Sequence, residues 1–157
     1  MKRKLTVFLL LVIMILSLAG CGSKSEDSKA LKQYNDKMTI FFDELVVIND
    51  TINEIEPENT SSLQELFTQF DILETKFEYL ATIKVPQELV YYDSIESLAA
   101  EGSDYMKQAN EYLHMAFEDG AYNENYIEPA MECYRRANKR IRYIVSLIHG
   151  EVPNDAQ

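Results

Sequence analysis

From residue 28 onward the apolar positions of the chain advance in alternating steps of three and four. The first run is Leu31, Tyr34, Met38, Phe41, Leu45, Ile48, Ile52 and Ile55. Such steps place side chains on one stripe of an α-helix, because three and four residues bracket its 3.6-residue turn. Ser28 suits the N-cap, and Pro57 lies just past the end. The second run repeats the rhythm with Leu63, Leu66, Phe70, Leu73, Phe77 and Leu80. Ser61 with Gln64, or Ser62 with Glu65, offers a capping box at its start. It should stop near Lys84, since a residue preceding proline is driven out of the helical region.

Pro86 suits the first turn of a third helix, where its missing N–H costs nothing. The stripe that follows is Tyr91, Ile95, Leu98, Gly102, Tyr105, Ala109, Tyr112 and Ala116, widened by Tyr92, Ala99, Met106 and Leu113. Gly102 is the weak point of this helix, costing about 1 kcal/mol relative to alanine, unless a neighbouring backbone must come close there. Asp119 and Gly120 mark a turn. The fourth run is Ile127, Ala130, Tyr134, Ala137, Ile141, Ile144 and Ile148, with Asn125 and Glu128 as a candidate cap and its partner. His149, Gly150 and Pro153 are stop signals in the expected order. The expected helices are 28–56, 61–83, 86–119 and 124–149. Four stripes joined by short turns call for an all-α antiparallel four-helix bundle over residues 28–150, with 151–157 as a tail. Ile, Leu and Phe dominate the first two stripes, and Tyr and Ala the last two.

The chain before residue 28 follows different rules. Lys2, Arg3 and Lys4 precede an apolar run from Leu5 to Leu16, and small residues then lead to Cys21. A basic start, a short apolar run and a small-residue cleavage zone form a secretory signal over residues 1–20. The run is too short for a hydrocarbon core, which takes roughly 20 apolar residues. Leu18, Ala19, Gly20 and Cys21 resemble the lipobox of bacterial lipoproteins. That resemblance implies a diacylglyceryl group on the Cys21 sulfur and cleavage just before it. It also implies a membrane-anchored protein on the extracytoplasmic face, or on the outer membrane in a Gram-negative host. Residues 21–27 then form a short polar tether, and two or three acyl chains hold firmly where one holds marginally.

Loss of the signal changes the charge. Of 15 basic and 26 acidic side chains, three basic ones lie in the signal, leaving 12 against 26 and a net of −14. So acidic a chain repels phosphate backbones, which argues against nucleic acid as a partner. Acylation of Cys21 leaves Cys133 as the one remaining thiol, so no intramolecular disulfide is expected and packing alone must hold the fold.

Candidate chemistry is sparse. Glu111 and His114 have the Glu-x-x-His spacing of bundle metal sites, but they fall opposite Ala109 and Tyr112, on the wet side. His149 has Ser146 three residues before it, so the motif has no second copy, and neither metal nor cofactor is expected. Cys133 has no histidine near it in sequence and reads as a small buried hydrophobe. Arg135, Arg136, Lys139, Arg140 and Arg142 form the one basic block, either a docking patch or a set of cations paired with carboxylates of neighbouring helices. Tyr91, Tyr105, Tyr112 and Tyr134 occupy inferred core positions, and buried hydroxyls need partners; together they are candidates to line a ligand pocket. Phosphate loops, nucleophile elbows and paired-cysteine spacings do not occur.

The stretches from Lys84 to Asp119 and from Tyr126 to Gly150 are similar to domains of unknown function in small lipoproteins of Gram-positive bacteria. The resemblance covers about half the chain and implies no activity and no catalytic residues. The expected role is a non-catalytic binding module at the cell envelope, with an unknown protein or envelope component as partner. A small-ligand binder with a tyrosine-lined core is the alternative, and an enzyme the third.

Overall fold

Each apolar stripe becomes a helix in the computed structural model, which describes residues 29–55, 60–118 and 122–153. In chain order these are α1 (Lys29–Glu54), α2 (Thr60–Thr82), α3 (Tyr92–Met115) and α4 (Ile127–Ile148), with a 3-10 turn, Glu124–Tyr126, leading into α4. The signal, Leu18 to Cys21, the tether, the Ser28 cap, Pro57 and the Asp119–Gly120 turn lie outside the described residues.

Cross-helix contacts give the direction of each neighbour. Phe41 meets Phe77 edge to face at 5.9 Å, and Lys76 Nζ donates to Glu44 Oε2 at 2.7 Å, so α1 and α2 run oppositely. Phe67 stacks on His114 while Gly102 lies against Phe77, which sets α2 antiparallel to α3. Arg140 Nε reaches Glu101 Oε2 at 2.9 Å and Tyr126 stacks on Tyr112, which does the same for α3 and α4. Tyr134 donates its hydroxyl hydrogen to Asn49 Oδ1 and joins α4 to α1. The result is an all-helical antiparallel four-helix bundle. One pole holds the start of α1, the end of α2, the start of α3 and the end of α4. The other holds the opposite ends.

The core follows the stripes closely in α1, α2 and α4. Tyr34, Met38, Phe41, Leu45 and Ile48 are buried on α1, and Phe70, Leu73, Phe77 and Leu80 on α2. In α3 the buried face is turned toward the flanking row: Ile95, Ala99, Gly102, Met106, Ala109, Leu113 and Ala116 lie inside. Leu98, Tyr105 and Tyr112 are only half-buried. Both rows keep the three-four rhythm, and the tyrosines take the edge because a phenol hydroxyl left in a dry core would lose its hydrogen bond to water.

Two helix starts differ from expectation. Helix α3 begins at Tyr92 rather than Pro86. Ile83, Val85 and Pro86 are buried, so the connection spends its apolar residues capping the pole. Turn bonds from Leu89 N to Pro86 O and from Tyr92 N to Leu89 O lead into the helix. Helix α4 begins at Ile127 with Tyr126 as an N-cap that makes no side-chain bond. Asn123 rather than Asn125 caps, at the preceding 3-10 turn, its Oδ1 accepting from Asn125 N at 3.2 Å. The far end of α4 matches its stop signals. Gly150 has φ +78°, its N–H bonds Leu147 O, and Glu151 N–H bonds Ser146 O. This pair of bonds is a Schellman motif, which satisfies two orphan carbonyls.

Candidate functional site

At the pole away from the start of α1, the four stripes run out of bulk before they run out of helix. Ile52 and Ile55 come from the end of α1, and Leu63, Leu66 and Phe70 from the start of α2. Leu113 and Phe117 come from the end of α3. Tyr122, Ile127 and Met131 complete the wall from the approach to α4 and its first turns. Together they line an open-sided cavity of about 530 Å³ in which, among the described residues, the tyrosine is the one ionisable side chain. That size and apolarity fit a small-molecule site, for which about 300–1,000 Å³ is usual. The floor is Phe70, whose ring packs on Tyr134 at 5.4 Å. Below it the Tyr134 hydroxyl donates to Asn49 Oδ1. Tyr122 stands at the edge, 62% exposed and against Phe117.

A second concavity, about 560 Å³, runs between α3 and α4 toward the opposite pole. It is amphipathic: Tyr91, Leu98, Tyr143 and Leu147 share it with Ser94, Ser97, Glu101, Lys139 and Arg140. Two members of the basic block thus face a groove, and cation–π contacts hold them there. Lys139 lies over Tyr143 at 5.2 Å, and Arg140 over Tyr105 at 4.9 Å while it pairs with Glu101. Arg136 also covers Tyr105 and pairs with Glu132. Arg135 pairs with Glu128 and Glu132, and Arg142 is exposed. Hydrogen bonds from Arg136 and Arg135 hold the Glu132 carboxyl below its usual range. Of the five cations, Arg140 pairs with a carboxylate of the neighbouring helix α3, while Arg135 and Arg136 pair within α4 and stay exposed.

The four tyrosines do not gather around one space. Tyr91 and Tyr112 stand at opposite ends of α3, about 30 Å apart at 1.5 Å per residue. Tyr105 lies under two guanidinium groups, Tyr112 stacks on Tyr126, and Tyr134 points to Asn49. Burial pushes the Tyr134 hydroxyl's pKa up. The most deeply buried tyrosine is Tyr34, whose pKa rises through burial and the nearby Glu96 charge.

Glu111 and His114 are exposed, on the wet side as their spacing implies. His114 is not idle there: its Nε2 lies 3.0 Å from Asp71 Oδ1. Asn110, one turn earlier and 6% exposed, donates from Nδ2 to Asp71 at 2.8 Å and to Glu74 at 2.6 Å. Its Oδ1 has no partner. Burial raises the Asp71 pKa, but the hydrogen bonds from Asn110 and His114 and the His114 charge outweigh it, and the net shift is downward. This cluster pins α2 to α3. Among the described residues no group of three His, Cys, Asp or Glu side chains is placed to hold a metal ion. Cys133 is buried, and that burial pushes its thiol pKa up, so it is a poor nucleophile.

Sequence reasoning missed both the far-pole cavity and the Asp71–Asn110 link. The stripes contain all but Phe117, Tyr122 and Met131 of the cavity wall, yet a stripe shows which residues face inward and not whether they meet. Asn110, between Ala109 and the wet face, was the available signal for the link. No known protein family matches this chain, and no curated protein or solved structure does.

Proposed function

We propose that this chain is a lipid-anchored extracytoplasmic lipoprotein whose helical bundle is a non-catalytic binding or interaction module at the cell envelope. The observation that carries it is the order of three sequence features: the Lys2–Lys4 basic start, the Leu5–Leu16 apolar run and Leu-Ala-Gly-Cys ending at Cys21. In this reading Cys21 bears the acyl chains, and residues 22–27 connect them to the bundle. Two or three chains, each gaining about 0.8 kcal/mol per buried methylene, supply an anchor that no helix needs to provide. Among the described residues no helix is long and apolar enough to cross a membrane. The partner is an envelope protein or polymer, or a small ligand.

Metabolic labelling with a palmitate analogue tests the anchor. The chain should take up label and fractionate with membranes, and Cys21→Ser should lose the label. Labelling that survives this substitution would refute the assignment. Crosslinking in intact cells tests the module: a specific partner should recur, and repeated recovery of none counts against a protein partner. The small-ligand reading is favoured by one observation, the far-pole apolar cavity. It replaces a tyrosine-lined core, because the tyrosines are dispersed along the bundle.

A further inference from the structure

We infer that the far-pole cavity is a binding site for the hydrocarbon chain of an uncharged amphiphile, such as a fatty alcohol or monoacylglycerol. The inference rests on the cavity and does not depend on the anchor at Cys21.

The walls decide the chemistry. Ile52, Leu66, Phe70, Leu113, Ile127 and Met131 offer only carbon and one thioether sulfur to an occupant. A charged group drawn among them would be desolvated with no counter-charge from these walls, which is strongly unfavourable. Among the described lining residues, a polar group would meet only Tyr122, at the edge. The floor is the apolar Phe70 ring, and the Tyr134 hydroxyl beside it is directed to Asn49 Oδ1. What fits is therefore a chain inside and a headgroup outside.

The surroundings select the headgroup. Glu118 follows Phe117 and Glu124 follows Tyr122 by two residues, and both are exposed. Glu128 is exposed beside Ile127 and already shared with Arg135. A carboxylate or phosphate headgroup at this rim would meet like charge. The nearest groups of basic side chains on α4 are tied to Glu128, Glu132 and Glu101. An uncharged headgroup avoids that repulsion. Met131 adds an unbranched, adaptable side chain to the wall, suited to an occupant of variable shape. The cavity also differs from other exposed apolar residues such as Ile40, Val47 and Val90. Those project to solvent from α1 and from the α2–α3 connection, whereas these converge from four helix ends.

Photolabelling of the full chain tests the site, whether or not the chain is anchored. The probe is a decanol carrying a diazirine on its chain, with adducts mapped by peptide mass spectrometry. Adducts should concentrate on peptides carrying Leu63, Leu66, Phe117, Tyr122 and Met131, saturate with probe, and be displaced by unlabelled decanol. Decanoate should compete at least tenfold more weakly. Leu66→Trp, which fills the cavity, should lower the labelling at least tenfold with helical content intact. Ile127→Trp fills it from α4 and serves if the first variant does not fold. Labelling that stays linear in probe, spreads equally over Ile40, Val47 and Val90, or persists in a folded cavity-filled variant overturns the proposal. Equal competition by decanoate overturns its uncharged-ligand part.

Discussion

The α3–α4 pair and the α1–α2 pair solve the same packing problem with opposite materials. The facing surfaces of α3 and α4 are built on Ala99, Gly102, Ala109 and Ala116 against Ala130, Cys133 and Ala137, all buried. These two helices approach much more closely than α1 and α2 do. At Gly102 an added Cβ would lie 3.5 Å from Arg140 Cβ. Between α1 and α2 the fill is bulky instead, with Met38, Phe41, Phe42, Phe70 and Phe77 buried. Small residues bring backbones together and leave little to collapse; large ones hold backbones apart and leave gaps where a ring ends. The cavity lies where the bulky layer thins, beyond Phe70. The α3–α4 seam is thus closed along its small residues and opens toward the near pole at the Tyr91–Tyr143 groove, whereas all four helices share the space at the far pole.

Truncation in the bulky half should have the largest effect. Phe77→Ala removes a fully buried ring that touches Phe41 and Gly102, at a cost of about 3–5 kcal/mol in denaturant unfolding. Leu73→Ala and Leu45→Ala should cost about 2–5 kcal/mol each, and an unchanged midpoint for either would contradict its place in the core. The seam should instead resist enlargement. Ala137→Leu puts three carbons into a space with no gap and should cost about 1–3 kcal/mol, while Ile52→Phe, at the cavity, should cost less. Equal losses for the two would erase the contrast.

Between the halves lies the Tyr134–Asn49 bond. Tyr134→Phe strands the Asn49 oxygen and should cost about 1–3 kcal/mol by thermal unfolding. The two described glycines should then respond in opposite senses. Gly102→Ala fits at ordinary contact distance and should stabilise the helix by about 1 kcal/mol. Gly150→Ala forces a side chain into the left-handed region at φ +78° and should destabilise by about 1–2 kcal/mol. Matching signs would mean that one backbone position is misassigned.

The smallest expected effect is the pH response of Asp71. Its pKa is lowered in the folded state. Its contribution is therefore fully present above the unfolded-state pKa, and it fades as pH falls through the folded value, over roughly pH 5 and below. Asp71→Asn should flatten the acid limb of the stability curve there and leave the neutral limb unchanged in shape.

The class and order of helices were legible because a three-four rhythm has one physical reading once enough turns repeat it. The rhythm was weaker on rotation. In α3 two apolar rows competed, and the hydroxyls of Tyr105 and Tyr112, invisible to a hydropathy count, decided against their own row. The start at Tyr92 was hidden by Pro86, which suits a first helical turn and a buried extended connection equally well. The Gly150 stop was legible because it is local: few residues tolerate that φ. The pairs of the basic block were only partly legible: Glu128 and Glu132 lie within seven residues of Arg135 and Arg136, whereas Glu101 reaches Arg140 from another helix. The cavity was least legible, since empty space arises from the sizes of residues brought together by helices far apart in sequence.

Because the number of helices is even, the polypeptide returns to the pole it left. Lys29 and Pro153 share that pole, and the cavity lies at the other, about 39 Å away along the 26 residues of α1. A protein fused after Pro153 would therefore crowd the side on which the chain enters and leave the opposite mouth clear. Extra sequence inserted between α3 and α4 would do the reverse. That makes the carboxyl-terminal side the place for a reporter, and the α3–α4 connection the place for an obstacle.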